Sequence, residues 1–135
     1  MYSSSTRIRI HYALTDQMGV VYHGNYAQFF EIGRTEAIRH LGLTYKQLED
    51  TGIMMPVVDL HMKYLRPVKY DDLITVTVQL RELPTNHRVT FFGEITNEAG
   101  KLCCAGTATL YFLDAKTQQR VTMPEVLKEK LEPYF

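Results

Sequence analysis

One short segment holds the residues best suited to chemistry. Asp16 follows an alternating stretch, Gly19 and Gly24 allow tight turns, and Tyr22-His23-Gly24-Asn25 runs directly into an amphipathic stretch that begins at Tyr26. A carboxylate serves as a nucleophile or as a general base. A helix start carries unpaired N–H groups and a partial positive charge, which polarise a carbonyl or hold an oxyanion. A loop joining the two is therefore a candidate site for attack on an activated carbonyl. Taken alone, these residues fit a plainer account better: an Asx turn at Asp16, an ordinary loop histidine at His23, and glycines that only reverse the chain.

Other residues offer less. Asp59 and His61 stand two apart on one strand face, but no third ligand has suitable spacing for a metal. Lys63, Arg66, Lys69 and Arg88 are candidates for meeting phosphates, Arg better than Lys because its planar fork binds two oxygens. Singly, each is an ordinary surface charge. His11, His40 and His87 have no visible partner and read as packing or surface residues. Cys103 and Cys104 are adjacent in a strand, point to opposite faces and read as buried packing residues rather than as a disulfide or a metal site.

The elements that must position the segment follow from polar and apolar periodicity. Ile8, Ile10 and Tyr12 alternate with Arg7, Arg9 and His11, which predicts a first strand from Thr6 to Leu14. A loop over 15–25 follows. Tyr26, Phe29, Phe30, Gly33, Ala37 and Leu41 form a helical stripe, so a helix is expected over 26–41 with Asn25 as N-cap and Gly42 as C-cap. Thr44 and Gln47 read as the capping box of a second, short helix ending near Gly52. Four strands then follow in close succession: 58–65, with Val58, Leu60, Met62 and Tyr64 on one face; 74–81; 88–95; and 102–113 after a turn at Asn97–Gly100. Pro124 opens a short tail helix with few apolar anchors, expected to be peripheral. Late strands without intervening helices predict an α+β fold with an antiparallel sheet.

The chain has 135 residues and a mass of 15.6 kDa, which suits one domain over 1–135, with its core at about 6–115 and its tail helix at about 124–132. Hydrophobic residues make up 45% and charged residues 22%, as in ordinary globular chains. Fifteen basic and fifteen acidic side chains balance to zero net charge, against nucleic-acid binding by phosphate neutralisation. No stretch reaches the roughly 20 apolar residues of a membrane span and no leader is visible, so a cytoplasmic location is expected. The nine tyrosines suit an acyl pocket or a subunit interface equally.

The run Asp16-Gln17-Met18-Gly19-Val20-Val21-Tyr22-His23-Gly24-Asn25-Tyr26, continuing to Phe29-Phe30-Glu31, resembles the signature of the 4-hydroxybenzoyl-CoA thioesterase family of hotdog-fold proteins. Tyr64-Leu65-Arg66-Pro67-Val68-Lys69-Tyr70-Asp71-Asp72-Leu73-Ile74 is similar to what that family carries between its second and third strands. The likeness extends over about residues 6–115. It implies a single hotdog domain, a five-stranded antiparallel sheet wrapped around a long central helix, and a homodimer or homotetramer with acyl-thioester sites at the subunit boundary. It implies hydrolysis of an acyl-CoA or acyl carrier protein thioester to free acid and thiol, with no metal and no cofactor. Asp16 matches the catalytic carboxylate, as nucleophile or as general base. His23 matches a position that orients water, assists the carboxylate or lines the pocket. The N–H groups near His23 and Gly24 match the carbonyl-polarising helix end, and Tyr26 and Glu31 match positions that hold helix and loop in place. Gly24, Tyr26, Lys63, Arg66 and Arg88 are the expected substrate-binding residues. Alternatives within the fold are an enoyl-thioester hydratase or dehydratase and a non-catalytic acyl-CoA-binding protein.

Overall fold

The computed structural model describes residues 1–135. In chain order the elements are β1 (Tyr2–Arg9), α1 (Tyr26–His40), α2 (Tyr45–Asp50), β2 (Ile53–Met54), β3 (Val57–Tyr64), β4 (Leu73–Leu80), β5 (Arg88–Thr96), β6 (Leu102–Tyr111), β7 (Leu113–Asp114) and α3 (Glu125–Leu131). Five strands form one antiparallel sheet in the order β1-β4-β5-β6-β3, and β2 pairs with β7 separately. The expected α+β arrangement with five antiparallel strands is observed. No helix is long and apolar enough to cross a membrane.

The first strand differs from expectation. It runs from Tyr2 to Arg9, in register from Tyr2 opposite Leu80 to Arg9 opposite Leu73. It stops because β4 begins at Leu73 and offers no further partner. Ile10 is still buried and exchanges backbone hydrogen bonds with Asp71 and Asp72, whereas Tyr12–Leu14 coil into a 3-10 turn that leaves Tyr12 exposed. At the other end, Tyr2 and Ser4 face inward, where Ser4 Oγ meets His40 Nδ1 at 2.6 Å. Three consecutive serines look like a loop in sequence, but the β4 edge supplies pairing that compensates for poor strand propensity.

Helix α1 spans 15 residues, one fewer than expected, and is entered through a 3-10 turn over His23–Asn25. Asn25 occupies the N-cap position, but its side chain caps no helix N–H; its Nδ2 instead donates to Leu14 O at 2.9 Å and ties the helix entrance to the end of the first strand region. The C-terminus behaves as expected. Gly42 has φ +89°, its N–H donates to Arg39 O at 2.8 Å, and Leu43 N–H donates to Ile38 O at 3.2 Å, a Schellman closure. Thr44 and Gln47 form the full capping box of α2.

Phe29, Phe30, Gly33, Ala37 and Ile38 turn one face of α1 onto the sheet, chiefly onto β1 and β4. Ile74, Val76, Val78 and Leu80 of β4 and Val89, Phe91 and Ile95 of β5 face it. The tail helix is less peripheral than its sequence suggests: Leu127 and Leu131 are buried in the same apolar cluster. Cys103 and Cys104 are both buried and free. The main departure is β3, an edge strand whose expected core face is open. Val58, Leu60 and Tyr64 are each nearly half exposed, because α1 packs mainly over β1 and β4 at the far end of the sheet and leaves this edge uncovered.

Candidate active site

The loop after β1 folds back on itself. Thr15 and Val21 form an antiparallel bridge, Asp16 N–H donates to Val20 O at 2.9 Å, and Gly19 N–H donates to Asp16 O at 3.0 Å. Gly19 takes φ +77°, a conformation that glycine reaches without strain. Met18 N–H donates to Asp16 Oδ1 at 2.9 Å, so the Asx turn is real. The loop is pinned to the segment after β3 by Val21 N–H donating to Val68 O at 2.7 Å and by a bridge between Val20 and Lys69. Asp16 is left half-buried, and the hydrogen bond from Met18 engages only one of its two carboxylate oxygens.

Beyond Val21 the chain enters the 3-10 turn. Asn25 N–H donates to Tyr22 O and Tyr26 N–H to His23 O, whereas the N–H groups of His23 and Gly24 donate to no backbone acceptor. Two free donors thus stand at the helix entrance. A Cβ at Gly24 would lie 2.5 Å from the ring of Tyr22, which is exposed and would have to swing aside. The Tyr22 ring in turn stacks on His23 with centroids 4.4 Å apart.

A recess of about 260 Å³ opens here, lined by Asp16, Met18, Val20, His23, Tyr26 and Tyr64, with Leu65, Arg66 and Pro67 closing the far wall. Tyr64, the last residue of β3, donates from its hydroxyl to His23 O at 3.1 Å and meets Tyr26 edge to face at 5.1 Å. Burial, and secondarily the neighbouring thiols of Cys104 and Cys103, push Tyr26 up to about 12, so its hydroxyl stays protonated and able to donate. Burial likewise pushes the Cys104 thiol up to about 11, which makes it a packing group and not a nucleophile.

Of the residues singled out in the sequence, Asp16, His23, Tyr26 and Arg66 meet at this recess, with Gly24 adjacent. Arg66 is exposed, and Nη1 reaches Leu102 O at 3.5 Å. Lys63 and Arg88 are not part of it. Lys63 pairs with Ala105 on the opposite face of the sheet from Tyr64, which pairs with Cys104. Arg88 pairs with Tyr111, seven residues along β6 from Cys104, which places it roughly 23 Å away along the strand. Glu31 lies exposed on α1, beside a separate cavity. Asp59 and His61 share the outer face of β3, and no group of three metal-ligating side chains exists. Tyr64 was not singled out in the sequence. Its signal was its place as the last residue of an alternating strand, immediately before Leu65-Arg66-Pro67.

The family described as "Thioesterase-like superfamily" matches residues 10–131. YneP of Bacillus subtilis, provisionally named an acyl-CoA thioesterase, is 36% identical over 118 residues, covering 87% of this chain and 84% of its own. The 1,4-dihydroxy-2-naphthoyl-CoA hydrolase of Thermosynechococcus vestitus is 28% identical over 119 residues, covering 87% of this chain and 81% of its own. Among solved structures, the DHNA-CoA thioesterase of Staphylococcus aureus superposes with a TM-score of 0.90 at 34% identity, over 99% of this chain and 89% of its own.

Proposed function

The chain belongs to the thioesterase-like superfamily, and we propose that it is an acyl-CoA thioesterase in which Asp16 and the entrance of α1 act on the two sides of one carbonyl. Within that superfamily the Asp16–Glu31 segment favours the 4-hydroxybenzoyl-CoA thioesterase family and its hotdog fold. The observation that carries the reading is the recess itself: a half-buried carboxylate opens onto the same space as His23 and the helix entrance, where two N–H groups are unpaired.

The reaction consumes one water and yields a free acid and CoA. The thioester carbon takes an oxygen, either from Asp16 or from a water that Asp16 deprotonates. Charge moves onto the carbonyl oxygen and is stabilised by the free N–H groups of His23 and Gly24 and the positive end of α1. The carbon–sulfur bond then breaks, and the CoA thiolate leaves with a proton. If Asp16 attacks directly, water cleaves the resulting anhydride. His23 lies where it can orient water, and Tyr26 and Tyr64 shape the walls. Each oxyanion donor of this kind is worth about 10²–10³ in rate.

Arg66, at the rim, is assigned to the CoA phosphates. Lys63 and Arg88 reach a bound CoA in this reading only as contributions of a second copy. That copy pairs along the open edge of β3, where exposed Val58 and Leu60 and an unpaired strand edge favour sheet extension. In this reading the enzyme is a homo-oligomer.

The test is thiol release from a panel of short, medium and aromatic acyl-CoA esters, with an enoyl-CoA followed by its double-bond absorbance in parallel. Thiol release with unchanged enoyl absorbance is expected. Loss of the double bond without thiol would transfer the protein to the hydratases, and tight binding without either reaction would make it an acyl-CoA-binding protein.

A further inference from the structure

Beyond the recess that holds Asp16, α1 and β3 continue to face one another, with Phe30 and Arg34 of the helix beside Leu60 of the strand. Tyr26, Phe30 and Arg34 recur every four residues and share one stripe of α1. Opposite them β3 presents Tyr64, Leu60 and Val57, which pair with Cys104, Ala108 and Leu110 on the core face of β6. Tyr26 and Tyr64 belong to the first recess, whereas Arg34 and Val57 line a second one of about 390 Å³. Eight helical residues separate Tyr26 from Arg34, about 12 Å at ~1.5 Å per residue. The cavity under Phe30 and Leu60 is only about 10 Å³, barely one water, so a chain linking the two recesses lies on the exposed side of Leu60.

Arg34 is the unusual residue of the second recess. It is 6% exposed, yet no carboxylate comes within 4.0 Å of it, and the ion pairs of the chain all lie elsewhere. The Tyr45 hydroxyl on the same recess is buried beside the Arg34 guanidinium and meets no other polar partner. Glu31 and Glu49 also line it but are exposed and stay solvated. A buried charge ordinarily has a partner, and a guanidinium fork fits a carboxylate with two parallel hydrogen bonds.

We propose that Arg34 and Tyr45 form the far end of the acyl pocket and receive a carboxylate there, so that the substrate is a dicarboxylic acid joined to CoA at one end. The acyl chain then runs from the reacting carbonyl beside Asp16, over apolar Leu60, to the paired donors. The proposal rests on the thioesterase reading above and names its substrate class.

The experiment measures thiol release from suberyl-CoA and octanoyl-CoA, chains of equal length that differ in the terminal carboxylate, with wild type, Arg34→Gln and Tyr45→Phe. Wild type is expected to favour suberyl-CoA in kcat/KM. That preference should fall about 10- to 100-fold in Arg34→Gln, mainly through KM, as for loss of a charge-assisted pair, and by less in Tyr45→Phe. Taking the ratio within each variant cancels any loss of folded protein, and Tyr45→Phe removes a single buried oxygen should Arg34→Gln fail to fold. A wild type indifferent to the carboxylate, or ratios unchanged in both variants, overturns this proposal while hydrolysis itself stands. Wild-type protein that cleaves neither ester but releases thiol from an aromatic acyl-CoA overturns this proposal alone, whereas no thiol release from any ester of the panel overturns the thioesterase reading and the proposal with it.

Discussion

The Asp16 carboxylate divides its two oxygens between structure and chemistry. Oδ1 accepts from Met18 N–H and holds the loop, which leaves Oδ2 for the recess. The plain reading of Asp16 as an Asx turn and the chemical one are therefore compatible. Asp16, His23, Tyr26 and Arg66 were legible because each stands in the loop, at the helix entrance or just after a strand end, where sequence order fixes spatial order. Arg34 was not, because a charged residue inside an amphipathic stripe reads as the solvent side, and only packing shows it 6% exposed. Tyr26 carries a prediction of its own. Its hydroxyl titrates at about 12 in the folded chain against an ordinary value of 10.0, so its contribution is complete below pH 10 and is lost as pH rises through the folded value. Cys104, shifted from 9.0 to about 11, acts in the same direction from one unit lower. The thermal midpoint should hold to about pH 9 and fall between roughly pH 10 and 12, and Tyr26→Phe should flatten the upper part of that fall, worth at most about 3 kcal/mol. Parallel pH profiles for the two proteins would contradict this placement of Tyr26.

Elements depend on close approach. Gly33 on α1 is what lets the helix settle onto β4, since a Cβ there would stand 2.8 Å from Val76 Cγ1 and 3.1 Å from Val78 Cγ1. Alanine in place of glycine improves helix propensity by about 1 kcal/mol, but crowding a packed core costs about 1–3 kcal/mol. Gly33→Ala should therefore lower stability by about 1 kcal/mol, read as an earlier urea midpoint at constant slope. A midpoint equal to or later than wild type would mean that the helix sits farther from the sheet. Capping residues were the most legible part of the fold, because Thr44, Gln47 and Gly42 act within one turn of their own backbone. The start of β1 was the least legible, because the serines at 3–5 are extended by their partner strand and not by their own side chains.

At the scale of the whole molecule, alternation correctly placed β3 in the sheet but not its burial. An edge strand carries the same period as an inner one, and whether its apolar face is covered depends on where α1 crosses and on what lies alongside. Leu60 and Tyr64 remain open in one chain, Tyr64 on the loop recess and Leu60 at the narrow cavity beside Phe30 and Arg34. The loop, the helix entrance and the end of the edge strand meet at the loop recess. The most direct measurement is thiol release from a reactive acyl-CoA by Asp16→Asn beside wild type, at matched thermal midpoint and matched sedimentation mass. Asn keeps the Oδ1 acceptor for Met18 N–H, so the loop should stand while kcat falls by about 10²–10⁴, the usual worth of a positioned acid or base. An Asp16→Asn protein that folds, assembles and still releases thiol at the wild-type rate would contradict the assignment of Asp16 as the catalytic carboxylate.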